Sequence, residues 1–318
     1  FMKIHCLMLH FVYALFCTLA LLLAGCDAPD RHKNEPVMNH QAAKSNTSLV
    51  ATDSASAPAN DAPPLVSSIR IAAISNLKIA LPILIADFNH SYPNIKIEAI
   101  FAPNNVLFEQ VSHHRGKFDI YLAGNDAFPK ALAAKYADSG VTKPFTYTRG
   151  QLVLYSRHHA IDVSPTTTLD ELLLDNKAFK LAVSSPQHAG YGMAAENWLL
   201  NQNLLNAIKP NIVYTDNIDE TFAMTDEGNV DFGFVSLSQV LNKPTNNSLQ
   251  GINNRQTHYA ILPKDSYPPI LQDGVILNQP EVSAKFVAYL KTAKAQDVLT
   301  ESGFLPICTA STLLPACK

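Results

Sequence analysis

From residue 69 onward, short apolar runs alternate with longer helical stretches, and that alternation restricts the chain to an α/β architecture. Residues 69–74 are a continuous apolar and small run apart from Arg70, the pattern of a buried strand. Ser75-Asn76 follows. Residues 77–89 then place Ile79, Leu81, Ile83, Leu84, Ala86 and Phe88 on a broad apolar face, with Pro82 in the first turns, where it is tolerated. Residues 95–100 alternate as a strand should, 106–114 read as a helix, and 118–123 as a third strand. Strand, helix, strand, helix, strand predicts a parallel sheet with crossover helices. The alternation resumes through strands at 152–156, 181–184, 212–214 and 232–235 and helices at 192–202 and 219–226. Short strands at 260–263 and 274–277 and one closing helix over 284–302 complete it. Two successive units predict two lobes.

The first 26 residues bear on compartment. Lys3 is the sole formal charge before Asp27, and an apolar run leads to Leu23-Ala24-Gly25-Cys26. A basic start, an apolar centre and small residues before a cut predict a signal peptide over residues 1–25. The alternative is a membrane span, for which the run is at the short end of the roughly 20 residues required. A Cys directly after Leu-Ala-Gly resembles the lipobox of bacterial lipoproteins. That resemblance implies a lipid on Cys26 and a periplasmic protein held at the membrane, with Asp27 resembling the signal for retention at the inner one. Residues 27–66 are rich in Asn, Ala, Ser, Pro and Asp without apolar periodicity, so 26–66 read as a tether. Loss of Lys3 with the signal moves the net charge from −3 to −4, which argues against nucleic acid as partner. An oxidising compartment would let Cys308 and Cys317 pair within the tail, residues 308–318; the alternative is two free thiols.

Four loops fall at strand ends just before predicted helices: Ser75-Asn76, residues 102–105, residues 190–192 and Asn217-Ile218. Open α/β sheets bind ligands there. Free N–H groups at a helix start attract anions, helped by the helix dipole. Alone, Ser75, Asn76 and Asn217 could simply cap helices. Gly190-Tyr191-Gly192-Met193-Ala194-Ala195 fits a loose G-x-G-x-x-A pattern, with Asp216 ending the next strand, which makes a dinucleotide-dependent enzyme the alternative of another class. Residues 185–189 separate those glycines from the strand, whereas a dinucleotide turn needs them at its end. His113-His114 and His158-His159 lack the spacing of metal ligands and read as surface residues; His188 lies in a candidate ligand loop. Phe222, Phe232 and Phe234 read as core.

Six segments, in order, resemble the periplasmic molybdate-binding proteins of ABC transporters over residues 68–305. They are Ala72-Ala73-Ile74-Ser75-Asn76, residues 117–126, residues 188–195 (the family's A-P-Y-G-x-A-A), Asp216-Asn217-Ile218 (its G-E-N-V), residues 228–240 and residues 267–274. The resemblance implies a type II periplasmic binding protein, each lobe a mostly parallel sheet flanked by helices. Lobe one would be 67–147 plus 258–307 and lobe two 148–257, with hinge crossings near 145–150 and 256–260. It implies capture of molybdate or tungstate without catalysis, cofactor or metal, by a monomer serving an ABC transporter permease. The oxyanion contacts fall on Ser75, Asn76, Tyr191 and Ile218, the last two through backbone N–H. The family's Ser-Ser-Gly or Ser-Thr-Gly element is replaced by Pro103-Asn104-Asn105, so Asn104 or Asn105 is expected to donate where Pro103 has no N–H. Two alternatives follow: the same fold with a different small anion, or a lipoprotein with no small ligand.

Overall fold

A computed structural model describes residues 67–161, 164–175, 178–187, 190–241 and 258–307. Cys26, Cys308, Cys317 and His188, with the expected signal, tether and tail, lie outside the described residues.

The chain opens with β1 (Ser67–Ile74), whose Ile69, Ile71, Ala72 and Ala73 are fully buried. Helices cover both faces of such a strand, which is why its sequence is apolar almost throughout. A tight 3-10 turn (Ser75–Leu77) then leads into α1 (Ala80–Ser91), so the first helix starts later than its apolar pattern implied. Next come β2 (Ile95–Ala102), α2 (Asn104–His113), β3 (Ile120–Leu122), α3 (Ala127–Lys135) and β4 (Phe145–Gly150). After one residue, Gln151, the chain enters a second sheet through β5 (Leu152–Tyr155). That sheet is built from β6 (Leu181–Ser184), β7 (Ile212–Thr215), β8 (Phe232–Ser236) and β9 (Tyr259–Ile261). Its helices are α4 (Pro165–Leu174), α5 (Gly190–Asn201), α6 (Leu205–Ile208), α7 (Ile218–Asp226) and α8 (Leu237–Leu241). The chain returns to the first sheet with β10 (Ile270–Ile276), α9 (Pro280–Leu290), α10 (Ala293–Glu301) and β11 (Phe304–Leu305).

The strand orders are β11-β4-β10-β3-β1-β2 and β7-β6-β8-β5-β9. Both sheets are mixed. β2, β1 and β3 are parallel, as are β7, β6 and β8, in keeping with the expected crossovers. The expectation of mostly parallel sheets gives way at the crossings: β10 and β5, the strands that enter each sheet from the other, run against their neighbours on both sides. The fold is nonetheless the expected α/β two-lobe one. The crossings themselves are Gln151 and residues 262–269. Residues 145–150, read as a crossing, are a strand with partners on both sides, and Tyr259 and Ala260 belong to β9.

Each sheet carries its own apolar core. Ile71, Leu81, Phe88, Tyr121, Tyr147 and Phe286 anchor the first; Leu154, Leu181, Trp198 and Phe234 anchor the second. Phe232 belongs to the second core as well, with Phe222 packed on a smaller cluster beside it. The single closing helix is two. Thr292 interrupts it because its Oγ1 accepts from Ala295 N–H at 3.3 Å, which caps a new helix.

Candidate functional site

Between the ends of β1, β2, β6 and β7 lies a small cavity of about 30 Å³, lined by Ser75, Asn76, Asn104, Asn105, Tyr191 and Ile218 together with Ile74, Gly124, Gly190, Asp216, Asn217 and Asp219. All six residues expected to contact a ligand therefore share one cavity, although they come from four separate segments. Each segment begins a turn of helix there. Asn104 and Asn105 are the first two residues of α2, Tyr191 is the second of α5 and Ile218 the first of α7. Ser75 and Asn76 open the 3-10 turn. N–H groups at such positions have no acceptor within their own helix, and the aligned dipoles favour negative charge in front of them.

The side chains divide into caps and free groups. Asn217 is a cap: its Oδ1 accepts from Glu220 N–H at 2.9 Å, and Asp216 N–H in turn donates to Glu220 Oε2 at 2.9 Å. Asn104 is committed too. Its Oδ1 accepts from Gly124 N–H at 3.0 Å and from the Tyr121 hydroxyl at 2.9 Å, which ties the second loop to the end of β3. Asn76 differs. It is only 4% exposed, yet neither its Nδ2 nor its Oδ1 has a hydrogen-bond partner. The Oδ1 of Asn105 and the Ser184 hydroxyl are likewise buried without partners. Unpaired buried amides are costly, so a site that keeps them is arranged for something other than its own fold. Pro103 is the residue before α2, where its carbonyl accepts from Leu107 N–H at 3.0 Å. Its missing N–H therefore costs the site less than the sequence implied, because Asn104 and Asn105 stand at the free N–H positions.

The Tyr191 side chain reaches past the cavity. Its hydroxyl accepts from Gln272 Nε2 at 3.2 Å, and Gln272 Oε1 accepts from the Tyr147 hydroxyl at 3.2 Å. The single Tyr147 hydroxyl proton is shared between that oxygen and Ala123 O, the nearer at 2.9 Å. This chain crosses from α5, over the second sheet, to β10, β4 and β3 in the first. Burial pushes the Tyr191 hydroxyl well above its ordinary range, opposed by Ser236, Gln272 and Asn76 beside it, so it stays protonated.

Among the described residues no Lys, Arg or His lines the cavity, whereas Asp216 and Asp219 do. Asp219 was not singled out as a ligand neighbour from sequence, and Asp216 was read only as the acid of the dinucleotide pattern and as part of the resembling loop; Gly124, Gln239 and Gln272, whose partners lie far along the chain, were not singled out either. Asp219 has its pKa raised, chiefly by burial, against the lowering effect of the Ser75 hydroxyl, the Gln239 amide and Lys78. Its Oδ1 accepts from Gln239 Nε2 at 3.0 Å. Gln239 closes a capping box at α8, since its Oε1 accepts from Ser236 N–H at 3.3 Å and its own N–H donates to Ser236 Oγ at 3.3 Å. Sites for drug-sized ligands run to roughly 300–1000 Å³, so this cavity taken by itself is scaled to a small ion. Gly190 begins a helix with five residues between it and β6, and Gly192 lets that helix approach β6. His113, His114, His158 and His159 are exposed, and among the described residues no three His, Cys, Asp or Glu side chains converge as metal ligands would.

Residues 69–305 match the family model described as bacterial extracellular solute-binding protein. Among curated proteins, the chain is 29% identical over 243 residues to the molybdate-binding protein ModA of Azotobacter vinelandii, covering 75% of this chain and 90% of that protein. It is 28% identical over 210 residues to the ModA of Rhodobacter capsulatus, covering 64% and 75%. Among solved structures, the periplasmic molybdate-binding protein of Azotobacter vinelandii superposes with a TM-score of 0.59 at 21% identity, covering 76% of this chain and all of that one.

Proposed function

The chain belongs to the bacterial extracellular solute-binding proteins, and on that premise we propose that it captures a small tetrahedral oxyanion, molybdate or tungstate, for import by an ABC transporter. The observation that carries the reading is Asn76: an amide 4% exposed, unpartnered at both ends, in a small cavity that three helix starts and a 3-10 turn share. A dianion in such a place needs each oxygen paired, and neutral donors suffice if they are dense enough. Ser75 and Asn76 supply side-chain and backbone donors, Tyr191 and Ile218 backbone N–H groups, and Asn104 and Asn105 backbone N–H groups with the Asn105 amide. The two molybdate-binding relatives support the choice of ion. Members of the family work outside the cytoplasm. A lipid on Cys26 would hold this one at the membrane, beside a permease that takes the ion from a monomer; loss of membrane partition in Cys26→Ala tests that anchor.

A thermal-shift panel of molybdate, tungstate, sulfate, phosphate and NAD tests the ligand. A hundredfold excess over the dissociation constant stabilises by about 2.7 kcal/mol, which for a body of this size raises Tm by about 5–10 °C. Molybdate or tungstate should give that shift and NAD none. A panel in which only sulfate or phosphate shifts Tm would keep the fold and change the ion.

A further inference from the structure

The cavity that several backbone segments make suitable for an anion also holds a carboxylate. Asp219 is the second residue of α7 and lines the cavity directly after Ile218. Its surroundings are mostly neutral. From α8, Gln239 Nε2 donates to Oδ1 at 3.0 Å and also reaches Ile218 O at 3.3 Å. The Ser75 hydroxyl faces it from the first sheet, and Lys78, exposed, is the cation that acts on it. Asp216 lines the same cavity from the turn before α7, and Glu220 is turned away to accept from Asp216 N–H. A second and third negative charge brought into a space of about 30 Å³ would face Asp219 with little water between them. Protonation removes the conflict. A neutral carboxyl keeps one oxygen to accept from Gln239 and turns the other from an acceptor into an O–H donor.

Taking the oxyanion reading as given, we propose that the bound state holds one proton between the Asp219 carboxyl and an oxygen of the anion, so that capture of a fully ionised oxyanion takes up a proton from solvent. The balance is simple: one dianion, one Asp219 carboxylate and one solvent proton give a complex with one O–H···O bond and no covalent change. Burial already raises the Asp219 pKa before any anion arrives, which shortens the step. Asp219 thereby sets the pH at which the protein loads.

The test is calorimetry of the full chain with molybdate at one pH in buffers of different ionisation enthalpy. The slope of apparent heat against buffer enthalpy counts the protons. We expect about one proton taken up per anion, and affinity falling by up to about tenfold per pH unit, wherever the free carboxyl is ionised. Asp219→Asn keeps the acceptor for Gln239 and offers a fixed donor, so its uptake should drop to none and its affinity should lose the pH slope. A second measurement needs no variant: the infrared difference spectrum of the wild-type protein should gain a protonated-carboxyl C=O band on adding molybdate. Heat of binding with no proton uptake and no new band overturns the shared proton while leaving the oxyanion reading intact. No heat with molybdate or tungstate overturns both.

Discussion

Asn76 and Asn104 are both asparagines at the start of a helical turn, and their surroundings give them opposite roles. The Asn104 side-chain carbonyl holds Gly124 N–H and the Tyr121 hydroxyl, so Asn104→Ala strands Gly124 N–H and leaves Tyr121 only the Asn104 backbone carbonyl, at 3.3 Å. The substitution should cost about 1–3 kcal/mol of stability, the penalty for leaving such a group unpaired. Asn76 lies beside the Tyr191 hydroxyl but makes no hydrogen bond of normal geometry within the fold, so Asn76→Ala should leave stability near the wild-type value. Its loss should instead appear in binding, as about 1.5–3 kcal/mol for a donor to a buried charge, roughly 10- to 150-fold in affinity. Urea titration and molybdate calorimetry on both variants separate the two effects. An Asn76→Ala protein that unfolds early but binds normally would reverse the assignment. The loops that carry Ser75, Asn76, Asn104, Asn105 and Ile218 were legible in the sequence as strand-to-helix turns, whereas Tyr191 stands beyond residues 185–189 and its role, like the choice of contacts in the other loops, came from the family resemblance. The roles of Gln272 and Tyr147 were not, because the bond from Gln272 to Tyr191 spans 81 residues and no local pattern records it.

At the level of elements, α5 must start close against β6 for Tyr191 N–H to face the cavity. Gly192 permits this: a Cβ there would lie 1.9 Å from the carbonyl oxygen of Ser184 and 2.7 Å from its carbon. Both are backbone atoms of β6 and cannot turn aside. Gly192→Ala should therefore lift the start of α5 off the strand, costing about 3 kcal/mol or more, the upper range for overpacking. Gly116, with nothing within 4 Å of its would-be Cβ, is the control, and its alanine variant should stay within about 0.5 kcal/mol of wild type. Equal urea midpoints for the two variants would show that the close approach is not needed. The strands with the clearest apolar runs, β1 and β6, were legible, since burial on both faces writes a continuous pattern. β4 was not. Its sequence, Phe-Thr-Tyr-Thr-Arg-Gly, is polar at alternate positions and resembles a solvent-exposed crossing. Yet Thr148 is fully buried, with its hydroxyl donating to Leu305 O at 3.0 Å.

For the whole molecule, two α/β units predicted two lobes, but the antiparallel strands at each crossing depend on where the chain changes sheet, which no periodicity encodes. The first change happens directly after Gly150, and there the site and the crossing meet. A Cβ on Gly150 would stand 2.3 Å from the Tyr191 hydroxyl and 2.6 Å from its Cζ. Tyr191 belongs to the second sheet's core and is 3% exposed, so its ring cannot swing into solvent. Gly150→Ala must then push the Tyr191 ring, and with it α5, away from β10, which breaks the bond between Tyr191 and Gln272. Binding proteins with two lobes close by a hinge about their ligand. In this one the chain Tyr191, Gln272, Tyr147 joins α5 to the first sheet at the crossing itself, so the same contact would hold the closed form. Gly150→Ala should weaken molybdate binding by at least about tenfold, 1.4 kcal/mol, through a penalty on closure and not through any lost donor. Small-angle scattering separates these causes. Wild type should compact on saturation with molybdate, and Gly150→Ala should keep a larger radius of gyration under the same saturation. A variant that binds tenfold more weakly but compacts fully would place the loss in the cavity, and wild-type affinity would show that Tyr191 does not need Gly150 to yield to it.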